Sequence, residues 1–300
     1  MPLAIVGASG KLGFATLSAL LDHGLLLASD LVLTTSSANG AQKLQDAALK
    51  GALIRHVNWD DSQSAWEAAL EGCDKLFLIS SSRIQKDFGD APPGHGREED
   101  HFKALESAKV VGVEHVYYSS LAFANPSKSN VMTAHERTEA WLTKEWSGRY
   151  TIIREGLYNE SWPLYLGHYK VTDDERTEIP IAGDSKISWT SIADLGTATA
   201  MILAAPSEDW AAYSQSEVAG MVAKAKGKEI HVNVISRDEN EAYYTQQRGM
   251  EEPFIKWWSK TYDALRDGEC HIQDPTLELL LGKQGLKPKH MEATVAEMEG

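Results

Sequence analysis

A chain of 300 residues with 43% hydrophobic and 24% charged residues has the make-up of one or two folded units. No apolar run approaches the roughly 20 residues that span a bilayer. With 43 acidic and 29 basic residues the formal charge is −14, which argues against nucleic acid or an anionic membrane surface as partner, because phosphate-rich ligands want a basic footprint.

In chain order, residues 3–6 form a short continuous apolar run, the pattern of a strand buried on both faces. Residues 11–21 turn helical, with Phe14, Leu17 and Leu21 on one face. Further strands are predicted at 30–34, 52–57, 75–79, 115–119 and 150–154, with helices at 42–49, 62–70, 98–111 and 133–144 between them. Strands alternating with helices indicate βαβ units, so residues 1–155 are expected to form an α/β, doubly wound parallel sheet, the Rossmann fold. Residues 85–96, with Pro92-Pro93 between Gly89 and Gly94, read as a flexible loop inside that unit.

After Arg154 the rhythm changes. Trp162, Tyr165, Tyr169, Trp189, Trp210, Trp257 and Trp258 all fall there, with helical patterns at 192–203, 215–224 and 239–247. Residues 156–300 are therefore expected to form a smaller, mostly helical substrate region packed on the carboxyl edge of the sheet. Phe254, Trp257, Trp258 and Tyr262 could form an apolar lid over a flat substrate, or simply pack the helices. Cys73 and Cys270, in no paired motif, fit reduced thiols in a cytoplasmic protein, and no signal peptide is visible.

The stretch IVGASGKLG at 5–13 ends the first strand in three glycines. Gly7 permits a sharp turn, Gly10 lets backbone N–H groups approach a pyrophosphate, and Gly13 lets the helix pack near the sheet. The anion would sit at the helix N-terminus, with Ser9 inside the phosphate loop. The second strand ends in Leu33-Thr34-Thr35-Ser36-Ser37, where an NAD site usually carries a carboxylate for the ribose. With none there, Thr35 and Ser36 could bond a 2′-phosphate and Lys43 could reach it one helical turn later, so NADP is favoured over NAD.

These residues, with LFLISSS at 76–82, VEHVYYSSLAF at 113–123, HERTEAWL at 135–142, IIREGLYNE at 152–160 and AGDSKISWTSIADL at 182–195, make the chain resemble the NmrA-like proteins, a branch of the atypical short-chain dehydrogenase/reductases. It looks most like the NAD(P)H:quinone oxidoreductase type 2 group and its fungal relatives. The resemblance implies that the loop from Gly7 through Ser9, Gly10 and Lys11 to Leu12 holds the pyrophosphate. It implies that Ser80 and Ser81 line the ribose and nicotinamide side, with Ser119, Ser120 and Leu121 near the reactive ring. Gly156, Leu157 and Tyr158 would then form the wall between cofactor and substrate, followed by Asn159 as a polar contact.

The wider superfamily's YxxxK pair is missing. His135 and Glu139 stand in its place, four apart on one helical face. His135 is a candidate general acid, alongside Ser120 and Tyr158 as candidate catalytic residues, and water is the alternative proton source. The histidines His95, His101, His115 and His168 are scattered, so no metal is expected, and no GxSxG elbow supports hydrolysis. The leading expectation is an NAD(P)H-dependent reductase of a quinone-like or aromatic carbonyl small molecule by direct hydride transfer. A biosynthetic ketoreductase or isomerase of a fused aromatic ketone, and a non-catalytic dinucleotide-binding redox sensor, are the alternatives. The oligomeric state is not legible.

Overall fold

The computed structural model describes residues 2–170, 172–205, 231–267, 269, 276–287, 289 and 297. The helix expected at 215–224, Trp210 and Cys270 lie outside the described residues.

The first half contains β1 (Leu3–Val6), α1 (Lys11–Asp22), β2 (Leu31–Thr35), α2 (Ala38–Lys43), α3 (Gln45–Leu49), β3 (Leu53–His56), α4 (Gln63–Leu70), β4 (Lys75–Ile79), α5 (Glu98–Val110), β5 (His115–Leu121), α6 (Thr133–Glu145) and β6 (Arg149–Glu155). The six strands form one parallel sheet in the order β3-β2-β1-β4-β5-β6. That is the doubly wound order, and its switch point, between β1 and β4, is where such sheets bind ligands beyond the strand ends. The single helix expected at 42–49 is instead two short ones. Ser37 Oγ accepts from Gly40 N at 3.0 Å and starts α2 early, and Leu44, with ψ near zero, breaks the run.

Alternate strand residues serve opposite faces. Leu3, Ile5, Leu31, Leu33 and Phe77 pack under α1, whereas Ala4, Val6, Val32, Leu76, Leu78 and Tyr118 pack under α4, α5 and α6. Each such leucine, fully buried, stabilises the fold by about 1.5–3 kcal/mol.

The later elements are β7 (Leu157–Tyr158), α7 (Trp162–Tyr165), β8 (Glu178–Ile181), β9 (Trp189–Thr190), α8 (Ile192–Ala204), β10 (His231–Val234) and helices Arg237–Ala242, Glu252–Arg266 and Thr276–Lys283. They include two small parallel ladders, β7 with β9 and β8 with β10, that the helical pattern did not indicate; strands of two to four residues are too short to show an alternation. The segment expected at 239–247 begins as an α-helix with a Ser236–Glu239 capping box and passes into a π-helical turn, Tyr243–Gln247. A third core, rich in Trp162, Trp189, Trp257, Trp258 and Tyr262, caps the carboxyl ends of the sheet. α8 returns to the first layer. A Cβ on Gly196 would lie 2.6 Å from Ala15, so the two helices touch at backbone distance, and Leu277, Leu280 and Leu281 join the same core. No helix among the described residues is long and apolar enough to cross a membrane.

Candidate functional site

The turn after β1 is backbone architecture. Gly7 has φ +82°, a left-handed value that Cβ sterics disfavour, and its carbonyl accepts from Gly10 N at 2.9 Å. Gly10 caps α1 without a side-chain hydrogen bond, and no side chain among the described residues is seen to answer the first-turn N–H groups. A Cβ on Gly13 would meet the Gly7 carbonyl oxygen at 2.3 Å, which presses the first helical turn against the loop. Leu12 anchors this turn in the core, while Lys11 and Gly10 are exposed.

Beside it, Thr35 Oγ1 and Ser9 Oγ lie 3.2 Å apart. The backbone of α2 closes over them, since a Cβ on Gly40 would be 2.0 Å from Thr35 Oγ1 and 2.8 Å from Ser9 Oγ. Thr35 is therefore buried and braces the loop rather than facing outward, a correction to its expected role as a phosphate ligand. Ser36 is exposed. Lys43 Nζ donates to the Ser9 carbonyl at 3.1 Å and sits 4.3 Å over the Phe14 ring, beside the glycine turn.

The ends of β4, β5 and β6 carry side chains locked to one another. Ser119 Oγ accepts from Ser80 N at 3.1 Å. Ser81 is fully engaged: its N–H reaches His101 Nε2 at 2.9 Å, its hydroxyl donates to Asp100 Oδ2 at 2.7 Å, and its carbonyl accepts from Arg97 Nη1 at 3.3 Å. It shapes the wall and has no polar group left for a cofactor. Because His101 Nε2 accepts an N–H, its proton is on Nδ1, which donates to Thr138 Oγ1 at 2.8 Å. Thr138 gives its own proton to the Ala134 carbonyl. Tyr118 hydroxyl, 3.0 Å from His135 Nδ1, then donates to that nitrogen.

His135 borders the same space as these serines, but burial, then Arg97 and His101, hold it well below the usual histidine range. It is a neutral imidazole, so the imidazolium acid expected at this position is absent at neutral pH. His101 is neutral for the same reason, burial first and then Arg97 and Lys86. Ser120 is also committed. Its hydroxyl donates to Glu139 Oε1 at 2.6 Å, and Glu139 is gripped by Arg154 at 2.6 Å and by Asn125 at 3.1 Å. This network holds strand ends together and leaves Ser120 no free proton.

Two charged residues at the site gave no signal in the sequence. Arg97 donates through Nε to Asp87 Oδ2 at 2.6 Å and through Nη2 to the Val131 carbonyl at 2.9 Å. Both partners of the ion pair are buried, so the loop expected to be flexible is pinned at its start. Glu155, at the end of β6, is 1% exposed, and its Oε2 accepts from the Tyr158 hydroxyl at 3.1 Å. Burial pushes its carboxyl up to about 8 and pushes the Tyr158 hydroxyl well above its usual value.

Together these residues enclose a cavity of about 320 Å³ at the carboxyl ends of β4–β6. Ser80, Ser81, Ser119 and Ser120 line one side, Leu157 and Tyr158 a second, and Tyr165, Phe254, Trp257 and Trp258 the third. Tyr165 meets Trp258 edge-on at 5.1 Å, which fixes that aromatic wall. Gly156 is not among the lining residues, and Tyr262 packs in the third core instead of the lid. Ile79 joins the two halves of the site: it borders the cavity, and a Cβ on Gly7 would lie 3.7 Å from it.

No protein-family model matches the chain. It is 25% identical over 305 residues to the NmrA-like family domain-containing oxidoreductase flvB of Aspergillus flavus, covering 96% of this chain and 93% of the relative. It is 29% identical over 237 residues to quinone oxidoreductase 2 of Escherichia coli, 76% of each chain. The structure superposes on the Escherichia coli NADPH-dependent quinone oxidoreductase QOR2 complexed with NADPH with a TM-score of 0.78 at 25% identity, covering 99% of this chain and 100% of the other. It superposes on the Citrobacter sp. triphenylmethane reductase complexed with NADP(H) with a TM-score of 0.77 at 22% identity, covering 99% of both chains. The fold is thus that of the NAD(P)-binding reductases. Within that class the chain is a homologue of the NmrA-like oxidoreductases.

Proposed function

We propose that this chain is an NADPH-dependent reductase of a flat quinone-like or conjugated carbonyl molecule. The observation that carries the reading is one continuous site, in which the glycine turn after β1 meets, at Ile79, an apolar cavity walled by aromatic rings. The residues fit a dinucleotide. The first turn of α1 is uncapped, no side chain stands on Gly10, and no carboxylate ends β2. A nicotinamide cofactor bound there supplies a hydride.

The chain's own residues do the rest. The backbone from Gly7 to Leu12 binds the pyrophosphate, and Ser36 with Lys43 takes the 2′-phosphate. Ser80 and Ser119 border the nicotinamide, and Ser119, whose oxygen only accepts among the described residues, has its own proton to offer. Leu157 and Tyr158 separate cofactor from acceptor. Trp257 and Trp258 orient the acceptor and exclude water, so the rate gain comes mainly from holding two reactants in a dry pocket. The relatives named for quinone reduction support the acceptor class.

Calorimetric titration with NADPH and NADH, followed by NADPH oxidation with quinones, enones and aryl ketones, tests the reading. Turnover with at least one class is expected. Stoichiometric NADPH binding with no oxidation by any of them would overturn it in favour of a redox sensor.

A further inference from the structure

Glu155 has no task in the scheme above, yet it sits where the acceptor must lie. It lines the cavity and is 1% exposed. Oε2 accepts from Tyr158, while Oε1 has no hydrogen-bond partner among the described residues. Among the described residues no cation is paired with it. Arg154, one residue back along the strand, faces the other side and grips Glu139. Arg97, the cation bordering the cavity, is bound to Asp87, and His135 is neutral and bonded to Tyr118. Glu160, the next carboxylate along the chain, accepts from Ile192 N at 3.2 Å. The remaining titratable wall group is Tyr165, a phenol.

A bare carboxylate so placed would be buried without counter-charge, a state proteins avoid by protonation. The neutral acid has a definite geometry: since Oε2 accepts from Tyr158, the proton is on Oε1. It is an enclosed O–H donor, on a residue that lines an apolar cavity, with no acceptor among the described residues, which is the condition under which a ligand acceptor is selected.

We propose that Glu155 is the proton donor to the oxygen of the bound acceptor, and that its Oε1–H selects neutral carbonyl or quinone acceptors by hydrogen-bonding that oxygen. The proposal rests on the reductase reading. In the step, the acceptor gains a hydride whose two electrons come from a dihydronicotinamide, which is thereby oxidised. The acceptor oxygen takes the Oε1 proton, so one O–H bond breaks at Glu155 and one forms on the reduced product. Glu155 is left as a carboxylate, steadied by the Tyr158 hydroxyl, and regains a proton from water as product leaves.

Glu155→Gln keeps the shape and a hydrogen-bond donor but has no acidic proton. Infrared difference spectra of the chain saturated with NADP⁺ should show a protonated carboxyl that titrates near pH 8, as burial of Glu155 requires. The band should be missing in Glu155→Gln and should shift when 1,4-naphthoquinone is added. In turnover, Glu155→Gln should lower kcat for naphthoquinone by roughly a hundredfold, the usual worth of a general acid. It should leave the KM for NADPH unchanged. Wild-type kcat should fall above about pH 8, and that limb should vanish in the variant. A cationic triphenylmethane dye takes up hydride without a proton, so the quinone-to-dye rate ratio should fall with kcat. A variant with wild-type quinone kcat and pH profile, or the absence of a titrating band that Glu155→Gln removes, overturns the proposal while leaving the reductase reading standing. NADPH binding without turnover of any acceptor overturns both. Thermal unfolding at pH 6, where Glu155→Gln should be at least as stable as wild type, confirms that the variant folds.

Discussion

The two ends of the site are built on different principles. The proposed phosphate end is one contiguous stretch, Gly7 to Gly13, braced by Thr35 and Lys43, and what it offers a ligand is backbone N–H. The acceptor end gathers side chains from segments as distant as Ser80, Glu155 and Trp258, and what it offers depends on which of them carry protons. A backbone site is fixed by chain geometry and changes little with pH. A buried side-chain site is fixed by packing, and the same packing sets its protonation.

That contrast can be broken at either end. The largest effect is expected from Arg97→Met, which strands the buried Asp87 carboxylate. Breaking a buried pair of this kind costs about 3–5 kcal/mol, measurable by urea unfolding, and adding Asp87→Asn should restore most of it; a loss under 1 kcal/mol would mean that the pair does not hold the acceptor end together. Next, Gly10→Val puts a branched side chain where phosphate must approach and sets its Cβ 3.1 Å from the Gly7 carbonyl. Dinucleotide affinity should fall at least a hundredfold, about 2.7 kcal/mol, with the fold retained by circular dichroism. Equal affinity in a folded variant would remove the pyrophosphate assignment.

The pH dependence of stability sharpens the comparison. His101 and His135 titrate well below 6.5 when folded, so the unfolded chain binds protons that the folded one refuses. The stability they contribute is present above pH 6.5 and is lost as pH falls, by up to about 1.4 kcal/mol per unit for each. Glu155 acts in the opposite sense. Its folded value is raised to about 8 from 4.5, so its contribution is full below pH 4.5 and is lost as pH rises through 8. Urea unfolding from pH 5 to 9 should show His135→Gln reducing the loss of stability below pH 6.5 and Glu155→Gln removing the decline between pH 5 and 8; unchanged slopes would refute the buried protonation states. The smallest effect is expected at the 2′-phosphate. Lys43→Ala should weaken NADPH relative to NADH by up to about tenfold, or 1.4 kcal/mol, read from the ratio of their dissociation constants. A ratio unmoved by the substitution would release Lys43 from that role.

The glycine turn was legible because its information is local: two apolar residues, three glycines and a helix specify a turn without help from the rest of the chain. The six strands were legible for the same reason, as was the positioning of Ser80, Ser119, Leu157 and Tyr158 at strand ends. Directions were not. Thr35 stands at the expected position and turns inward because Gly40 lets α2 close over it. His135 and Ser120 stand at the site, but their proton inventories are decided by Tyr118 and Glu139, neighbours that no spacing rule connects to a reaction. Glu155 reads in sequence as the charged end of a strand. Its burial in the cavity that the distant helix Glu252–Arg266 helps to wall, with no cation paired to it among the described residues, is what raises its carboxyl.

The close crossing of Gly196 on Ala15 bears on how the chain reaches this state. Closing a loop from residue 15 to residue 196 makes α1 wait for much of the sequence before its outer face is covered, the signature of a slow, high-contact-order assembly. A ribosome that has released only the six-stranded sheet has made the whole glycine turn, yet α1 still exposes the face around Ala15 and Thr16 that α8 covers. A fragment ending near residue 155 should therefore precipitate on expression instead of serving as a free nucleotide-binding unit, and α8 supplied as a separate peptide is the natural reagent to rescue it.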